Sequence, residues 1–396
     1  MTSLILGSAA ICLLATSLHL ASVFVALVRC RIDRRLLQAG PDGPGISVLR
    51  PVCGIDNYAE ETLRSTFELA YPRYEVIFCV ELASDPVVPL LRHLMASYPH
   101  VQSKLLIGHD STSPNPKLNN LIKGWPATGF DWVVIADSNV LMPVDYLQRL
   151  MATWQADTGL VCSPPVGCRP QGIWAELECA FLNTYQARWQ YFADSIGLGF
   201  AQGKTMLWRR ADLDRAGGIR ALAAELAEDA ASTKVVRAAG LRVRLVDGPF
   251  GQPLGWRSAS EVWRRQIRWA RLRRATFKWF FVPELLAGGV WALSAGAVVA
   301  STTGLPVAAS VTTLGAVWYG AEVLLAYRAG WHLSRRAPLL WLLRDLVLPL
   351  LWVSAWLGNE FEWRGNRMRL VENGPPDSPT LVPAKLATAW RRMKIR

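Results

Sequence analysis

The feature that most constrains this chain is an apolar run at residues 132–140, WVVIADSNV, that ends abruptly in polar side chains. Continuous Val/Ile runs are typical of parallel strands that are buried on both faces. In open α/β sheets, ligands collect at the carboxyl ends of such strands. We therefore expect Asp137, Ser138 and Asn139 to line a crevice, where Asp137 could hold a hard divalent cation that bridges phosphates.

The N-terminal segment is long enough to cross a membrane. Residues 1–28 carry no charged side chain, and a helix crosses a bilayer with roughly 20 apolar residues. A cleavable secretory signal would be shorter, and its positive charge would precede the apolar core. Here the basic residues follow the run, which predicts an uncleaved anchor and places the next domain in the cytoplasm. These basic residues are Arg29, Arg31, Arg34 and Arg35.

Two further apolar stretches lie towards the C-terminus. Residues 285–321 are uncharged and too long for one helix, and the STTGLP break at residues 301–306 predicts two spans joined by a tight turn. A third stretch, residues 338–357, contains Arg344, Asp345 and Pro349 in its interior. The tail beyond it is strongly basic, so a full crossing would place positive charge outside the cell. We expect this third stretch to be re-entrant or to lie in the interface, with the tail inside.

Composition narrows the class of partner. The 396-residue chain is 51% hydrophobic with a formal net charge of +12, and the positive charge lies beside the apolar segments. This pattern favours anionic lipid headgroups over nucleic acid, for which the sequence shows no binding motif. Seven cysteines form no CxxC pair and no zinc-like spacing with the five histidines, a pattern typical of reduced, buried thiols in a cytosolic domain.

Strand-like and helix-like segments alternate between residues 46 and 247, which predicts an α/β sheet. Asp85 and Pro86 begin one of the helices, because Asp suits an N-cap and Pro the first helical position. A long aromatic-rich helix is expected at residues 171–193. Strands are predicted at residues 46–51, 74–80, 104–108, 132–136, 159–163, 205–209 and 242–247.

Two aspartates are the main candidates for the chemistry. Asp137 could simply cap the turn after its strand, but the apolar run before it and its small neighbours favour a metal-diphosphate site. Asn139 stands where a DxD motif would carry its second acid, which should weaken the metal site. Asp229, in LAEDA, could complement a helix dipole or take the proton of an attacking acceptor hydroxyl.

Three other residues are candidates for nucleotide binding. Glu81 and Asp85 share one loop, and either could hydrogen-bond the base or the ribose, although Asp85 is also a helix cap. Lys117, in NPKLNNL, precedes a helix whose N-terminus favours anions. A phosphate contact and plain solvation both fit this lysine.

A basic segment with interleaved aromatic residues follows the predicted sheet. Seven basic residues lie between residues 263 and 278, which fits an amphipathic helix whose side chains snorkel at a membrane interface. A more specific interpretation pairs Arg265 and Arg268 with a diphosphate, while Trp269 walls the acceptor site. Both can hold for different residues of the segment.

These motifs closely resemble those of the ceramide glucosyltransferases, glycosyltransferase family 21, and the chain is identified as a bacterial member. The likeness runs through SVLRPVCGID, FELAYPRYEVIFCVELASDP, NPKLNNL, ADSNV, LAEDA and RRQIRWARLR to the FEWRGNRMRL tail, which is nearly the whole chain. The resemblance implies a GT-A (nucleotide-diphospho-sugar transferase) fold, a UDP-sugar donor and a divalent cation, Mg²⁺ or Mn²⁺.

The resemblance also implies residue roles. Asp85 would serve donor binding, Asp137 the metal and the diphosphate, and Asp229 would be the general base. The loop before Asp85 is less acidic than in the animal pattern and Asn139 replaces a small residue, so the sugar stays open. The residues that match the (Q/R)xxRW motif are Arg265, Arg268 and Trp269.

We expect an inverting glycosyltransferase that moves glucose or a related hexose from UDP to ceramide at the cytoplasmic membrane, with its catalytic domain facing the cytoplasm. Related bacterial enzymes act on diacylglycerol or hopanoid alcohols with UDP-glucuronate or UDP-GlcNAc, so this alternative stays open. A processive polysaccharide synthase would need more spans for its channel. A transporter would place paired charges within several spans, and only Arg344 and Asp345 qualify. A non-catalytic membrane scaffold would leave the pair Asp137 and Asp229 unexplained.

The expected organisation has six parts. They are an anchor at 1–28, a basic linker at 29–45, a GT-A catalytic domain at 46–255, an interface helix with the RxxRW motif at 256–282, membrane helices at 283–360 and a basic cytoplasmic tail at 361–396.

Overall fold

The computed structural model describes residues 2–31, 37, 40, 43–363, 366–371 and 380–383. Most of the predicted basic linker, with Arg34 and Arg35, and most of the predicted tail lie outside these residues. The chain divides into two units. The helical unit comprises Met1–Ile32, Pro170–Phe192 and Trp256–Leu370, and the sheet unit comprises Asp33–Arg169, Ala193–Gly255 and Val371–Arg396.

Helices and strands alternate along the middle of the chain, and helices dominate both ends. The α-helices are α1 Thr2–Arg29, α2 Ala59–Arg64, α3 Val87–Ser97, α4 Pro116–Gly124, α5 Tyr146–Thr153, α6 Ile173–Ala180, α7 Arg188–Ser195, α8 Arg210–Arg215, α9 Glu228–Ala238, α10 Ala259–Thr276, α11 Lys278–Phe281, α12 Gly289–Thr303, α13 Val307–Ala329 and α14 Ala337–Leu357. The strands are β1 Ile46–Pro51, β2 Tyr74–Val80, β3 Gln102–Ile107, β4 Trp132–Ala136, β5 Thr158–Cys162, β6 Val166–Gln171, β7 Thr205–Arg209, β8 Arg242–Leu245, β9 Gly251–Trp256, β10 Glu360–Trp363, β11 Asn366–Val371 and β12 Thr380–Pro383.

The sheet unit is built on a mixed sheet of seven strands in the order β3-β2-β1-β4-β7-β5-β8. Strands β1 to β4 are mutually parallel, and β7 runs antiparallel to both of its neighbours, β4 and β5. All six residues of β1 are buried, as expected for a central strand covered on both faces. Val48 of β1 and Val134 of β4 are in register and share one core with Leu207 of β7.

The predicted α/β class is confirmed. Strands β1, β2, β4 and β7 coincide with their predicted bounds, and the other predicted strands form within two residues of theirs. The helix predicted at residues 171–193 forms as α6, a π-helix at Phe181–Ala187 and α7 in succession. The predicted helix start at Asp85 is also present, because the Asp85 carboxylate accepts the N–H of Val87, the first residue of α3.

In the helical unit, α1 packs against α12 and α13. The ring of His19 on α1 stacks on Trp318 of α13, with ring centroids 3.8 Å apart. Three helices, α1, α13 and α14, are long and apolar enough to be candidate membrane spans. Helix α12 has 15 residues and reaches that length only together with Lys278–Leu286, from which it is bent by 44°.

The turn predicted at residues 301–306 separates α12 from α13. Gly304 ends α12 with a positive φ of 77°, a conformation that glycine adopts without a steric penalty. Pro306 then precedes the first residue of α13. The amphipathic helix predicted at residues 256–282 forms as α10 and α11, and Ser258 and Glu261 make a reciprocal capping box at the start of α10.

Candidate active site

Asp137 lies at the carboxyl edge of the sheet, immediately after β4. Its backbone is held from two sides: Arg50, fully buried on β1, donates from Nη2 to the Asp137 carbonyl at 2.8 Å, and the Asp137 N–H donates to the Lys204 carbonyl at 3.0 Å. Lys204 reaches this point because β7 runs antiparallel to β4 and begins where β4 ends, with Thr205 opposite Ala136. The Asp137 carboxylate therefore lies at the carboxyl edge of the sheet, as the apolar run predicted.

Two lysines bracket the Asp137 carboxylate. Lys117 Nζ lies 2.6 Å from Asp137 Oδ1 and 2.5 Å from Glu228 Oε1, and it donates to the Gly203 carbonyl at 2.6 Å. Lys204 Nζ lies 2.9 Å from the other oxygen, Asp137 Oδ2. Lys117 is the centre of a mostly buried ionic network, so plain solvation is wrong, and its phosphate contact stays a prediction.

The electrostatics of this network keep Asp137 and Lys117 charged. Burial by itself would raise the pKa of Asp137, but the ammonium charges of Lys117 and Lys204 outweigh it and hold that pKa well below its ordinary value. Burial would likewise lower the pKa of Lys117, and the carboxylates of Asp137 and Glu228 outweigh it, so the pKa is raised. Asp137 is therefore a fixed anion and Lys117 a fixed cation at neutral pH.

Asp229 differs from Asp137 in its electrostatics. Its Oδ2 accepts the Gly203 N–H at 3.0 Å and its Oδ1 accepts the Ala230 N–H at 2.8 Å. Burial, followed by the negative charge of Glu228, raises the pKa of Asp229 to about 6, although Lys117 acts in the opposite direction. Two carboxylates in one site with pKa values pushed apart are typical of a division of labour between a charge partner and an acid or base.

Two backbone features bring the network together. Asn115 caps α4 by accepting the N–H groups of Lys117 and Leu118, and its Nδ2 donates to Glu228 Oε2 at 2.8 Å. Gly203 has no room for a side chain, because a Cβ there would lie 2.8 Å from Glu228 Oε1 and 3.1 Å from Lys117 Nζ. The starts of α4 and α9 are therefore joined through one glycine and one capping asparagine.

Glu81 and Asp85 follow β2 at the same edge of the sheet, but both have local partners. The Asp85 carboxylate accepts the N–H of Gly54, after β1, at 3.0 and 3.1 Å, in addition to its cap on α3. Glu81 is partly exposed and pairs with His109 Nδ1 at 2.7 Å. Asp85 thus ties two loops of the edge together, and Glu81 stays available at the surface. Their roles in nucleotide binding remain predictions.

The chemistry of the donor atoms at Asp137 suits a hard cation. The carboxylate of Asp137 and the Oδ1 of Asn139, which accepts from Lys204 Nζ at 3.0 Å, are oxygen ligands of the kind that Mg²⁺ and Mn²⁺ prefer. Among the described residues no three His, Cys, Asp or Glu side chains lie close enough together to hold a metal. A cation at Asp137 would therefore need most of its ligands from a bound diphosphate, as is common for Mg²⁺.

The RxxRW motif lies on α10, in the helical unit. Arg265 Nε is 2.9 Å from Oε1 of Glu178, a fully buried residue of α6, and Arg257 Nε is 3.5 Å from the other oxygen of that carboxylate. The Arg265 guanidinium also lies over the ring of Trp269, 5.2 Å from its centroid. Arg268 is partly exposed on the same helix. The predicted roles of these three motif residues stay predictions.

Several residues of the site were not predicted. Lys204 gave no signal, because its place depends on the antiparallel pairing of β7 with β4. Glu228 was visible only as a neighbour of Asp229, and Gly203 only as a glycine ahead of a strand. Asn115 did carry a local signal, because Asn at an N-cap followed by Pro is typical of the start of a helix.

The chain matches the family model described as "Glycosyl transferase family 21" over residues 14–375. It belongs to that family. Relatives include ceramide glucosyltransferase 3 of Caenorhabditis elegans, 26% identical over 84% of this chain and 74% of the relative. The ceramide glucosyltransferase of Komagataella phaffii is 27% identical over 85% of this chain and 84% of the relative.

Solved structures similar to this family 21 chain include a mannosyltransferase from Pyrobaculum calidifontis in complex with GDP-Man and Mn²⁺, with 18% identity, a TM-score of 0.47 and coverage of 88% of this chain and 97% of that one. S. aureus TarS 1–349 in complex with UDP-GlcNAc has 13% identity and a TM-score of 0.37, with coverage of 84% and 98%.

Family membership confirms the predicted family and the enzyme class, a glycosyltransferase, whereas the bacterial origin stays a prediction. The candidate spans confirm apolar helices at both ends of this family 21 protein and indicate a membrane protein. The donor sugar, the lipid acceptor and the orientation in the membrane go beyond these findings.

Proposed function

We propose that the chain is an inverting glycosyltransferase that transfers glucose, or a related hexose, from a UDP-sugar to the primary hydroxyl of ceramide. The observation that carries the proposal is the difference between two neighbouring carboxyl groups. Asp137 is a permanent anion between two lysines, whereas the pKa of Asp229 is raised to about 6, which suits a group that must accept a proton near neutral pH.

On the donor side, the charges of Lys117 and Lys204 would attract the diphosphate to the edge beside Asp137. Mg²⁺ or Mn²⁺ bound at Asp137 would neutralise the negative charge that develops on the diphosphate as UDP leaves. Glu81 and Asp85, at the same sheet edge, would contact the nucleoside. The GDP-Man, UDP-GlcNAc and Mn²⁺ named for the similar solved structures are consistent with this class of donor.

On the acceptor side, Asp229 would act as the general base. The hydroxyl oxygen attacks the anomeric carbon as the bond from that carbon to the diphosphate oxygen breaks, and UDP leaves with the electron pair. The hydroxyl proton passes to a carboxylate oxygen of Asp229. Each of these oxygens accepts one backbone N–H in the structure and retains a lone pair for the acceptor.

In the helical unit, Arg265 and Arg268 would balance the charge of the leaving diphosphate, and Trp269 would wall the acceptor site. Glu178 holds Arg265 in a fixed orientation for this purpose. The apolar helices would anchor the protein in the cytoplasmic membrane with the sheet unit facing the cytoplasm, where UDP-sugars enter from water. The names of the relatives favour ceramide as the acceptor.

The decisive experiment is the analysis of lipids by mass spectrometry in a host that expresses the chain, with the Asp229→Asn variant as the matched control. A new hexosylceramide that depends on Asp229 is expected. Purified protein should release UDP from UDP-glucose only when ceramide is added.

The alternatives give different products in the same assay. If the protein transfers sugar from UDP-glucuronate or UDP-GlcNAc to diacylglycerol or a hopanoid alcohol, the donor and acceptor assignments change but the reaction class does not. Polymer formation without lipid would identify a polysaccharide synthase. Absence of UDP release with every donor and acceptor would overturn the proposal.

A further inference from the structure

Helix α14 has the length of a membrane span, but its buried face carries two charged side chains, Arg344 and Asp345. Its 21 residues extend about 31 Å, close to the thickness of the hydrocarbon core. Exposed apolar side chains recur along it every three or four residues and form one continuous stripe. The members of this stripe are Leu339, Leu343, Leu346, Leu350, Val353 and Leu357.

On the opposite side, polar contacts join α14 to neighbouring segments near its N-terminal end and in its middle. Just before the helix, the Ser334 hydroxyl donates to Glu176 Oε2 of α6 at 2.5 Å. Further along, Arg344 donates from Nη1 to Thr184 Oγ1 at 2.6 Å, in the π-helix that continues α6. The first half of α14 therefore lies along the segment formed by α6 and the π-helix.

The C-terminal end of α14 contacts the charged helix α10. Arg271 donates to the carbonyl of Ser354 at 3.4 Å and to that of Glu360, just beyond the helix. Arg274, on the next turn of α10, donates to the Asn359 side chain. Within the last turn of α14, where carbonyl groups lack partners in the helix, Arg271 donates to Ser354 and Arg274 to the Trp356 carbonyl at 3.5 Å. Helix α6, the π-helix and the charged helix α10 thus accompany α14 from its first residues to its last.

The start of α12 and the end of α13, which form the base of their hairpin, contact the middle of α14. The Asp345 carboxylate, in the middle of α14, accepts the N–H of Gly289, the first residue of α12, at 2.7 Å. Its neighbour Arg344 pairs with Glu322, two turns before α13 ends. The middle of α14 therefore contacts the base of the hairpin, whereas a third parallel span would place its middle beside the middle of the hairpin.

We infer that α14 lies in the plane of the membrane interface, across the base of the α12–α13 hairpin, and that its apolar stripe contacts a lipid leaflet. If α14 instead crossed the bilayer, α10 would have to enter the hydrocarbon with it. Helix α10 carries six arginines: Arg264, Arg265, Arg268, Arg271, Arg273 and Arg274. Such a density of charge is excluded from lipid-facing spans, whereas arginines beside an apolar face are typical of interfacial helices.

Neighbouring side chains extend the same lipid-contact surface. Trp279 is 84% exposed and Leu286 is 60% exposed, and both lie in Lys278–Leu286, which joins α10 to the hairpin. Exposed tryptophan is typical of the headgroup level. The inference does not depend on which sugar or lipid is used, and it requires both ends of α14 to lie on one side of the membrane.

The first test is the labelling of single cysteines in a cysteine-free background, in sealed vesicles of known orientation, with a membrane-impermeant maleimide. Arg335→Cys precedes α14, Glu360→Cys follows it with its side chain 72% exposed, and Leu305→Cys marks the opposite end of the hairpin. Arg335→Cys and Glu360→Cys should react from one side, and Leu305→Cys from the other. If Glu360→Cys reacts from the same side as Leu305→Cys instead, α14 spans the membrane and the inference fails.

A second measurement concerns depth. Spin labels at Leu339, Leu346 and Val353 on the exposed stripe should all show similar, shallow immersion when relaxation by oxygen is compared with relaxation by a water-soluble nickel complex. A depth maximum at Leu346 would show a spanning helix and overturn the inference. UDP release with lipid acceptor, measured on each labelled variant, confirms that the protein is folded.

Discussion

Replacing Asp229 with asparagine should abolish transfer and at the same time stabilise the folded protein at neutral pH. Burial and Glu228 raise the pKa of Asp229 from 3.8 to about 6, so at pH 7 the folded state holds a carboxylate in surroundings that favour its protonated form. This difference in pKa corresponds to at most about 3 kcal/mol of destabilisation. Asparagine can accept only one of the two backbone N–H bonds, so we expect a net gain of about 1 kcal/mol.

The sign of the pH dependence follows from the same pKa. Below pH 3.8 Asp229 is protonated in both the folded and the unfolded protein and carries no penalty. As the pH rises through about 6, the unfolded state has already lost its proton, and the penalty of the folded carboxylate reaches its full size. The apparent melting temperature of Asp229→Asn should therefore exceed that of the wild type more at pH 7.5 than at pH 5, while UDP binding persists. An equal difference at both pH values would refute the reasoning.

Asp137→Asn is the matched control, because its effect should have the opposite sign. Lys117 and Lys204 hold the pKa of Asp137 below its ordinary value, so this carboxylate stabilises the folded state above pH 3.8 and loses that contribution as the pH falls through its folded pKa. The variant should melt at a lower temperature than the wild type at pH 7.5, and it should bind UDP more weakly in a calorimetric titration. If both variants shift the melting temperature in one direction, the electrostatic assignment is wrong.

Three further predictions concern the site and the RxxRW helix. Glu228→Gln should move the acidic limb of the pH–rate profile of UDP release to lower pH, because it removes a charge that raises the pKa of Asp229; an unmoved limb would contradict this coupling. Gly203→Ala should reduce kcat by at least about tenfold, a barrier change of about 1.4 kcal/mol, since its Cβ would lie 2.8 Å from Glu228 Oε1. Arg268→Ala should reduce activity more than Arg273→Ala, whose guanidinium is paired with an acid beyond the end of α10; equal losses would favour a purely interfacial role for both arginines.

The fold could be predicted well wherever one local pattern decided it. The run before Asp137 is a continuous apolar segment and forms β4 at the predicted bounds, and β1 also forms where it was predicted. The hairpin break was readable from Gly304 and Pro306, because each restricts the backbone in a known way. The assignment of residues 170–192 to the helical unit was not readable, because it depends on packing between segments that are far apart in sequence.

Three residues of the candidate site could be predicted from the sequence, namely Asp137, Asp229 and Lys117, whereas Lys204 and Glu228 could not. Lys204 comes beside Asp137 only through antiparallel pairing of β7 with β4, a tertiary feature with no local pattern. Glu228 Oε1 lies 2.5 Å from Lys117 Nζ. The two residues are far apart in the sequence, so no local pattern predicts this contact.

The segment Pro170–Phe192 belongs to the helical unit, although the chain before and after it belongs to the sheet unit. The buried charges of the helical unit explain why. Glu322 on α13 is fully buried and would be an uncompensated anion without Arg344, whose guanidinium contacts both of its oxygens at 2.9 and 3.0 Å. Arg344 also pairs with Asp345 at 2.7 Å, which leaves one net negative charge, and the buried Arg188 of α7 offsets it. Removing one member of a buried ion pair costs about 3–5 kcal/mol. The helices α13 and α14 therefore reach electrical balance when the segment Pro170–Phe192, which belongs to the same unit, packs on them.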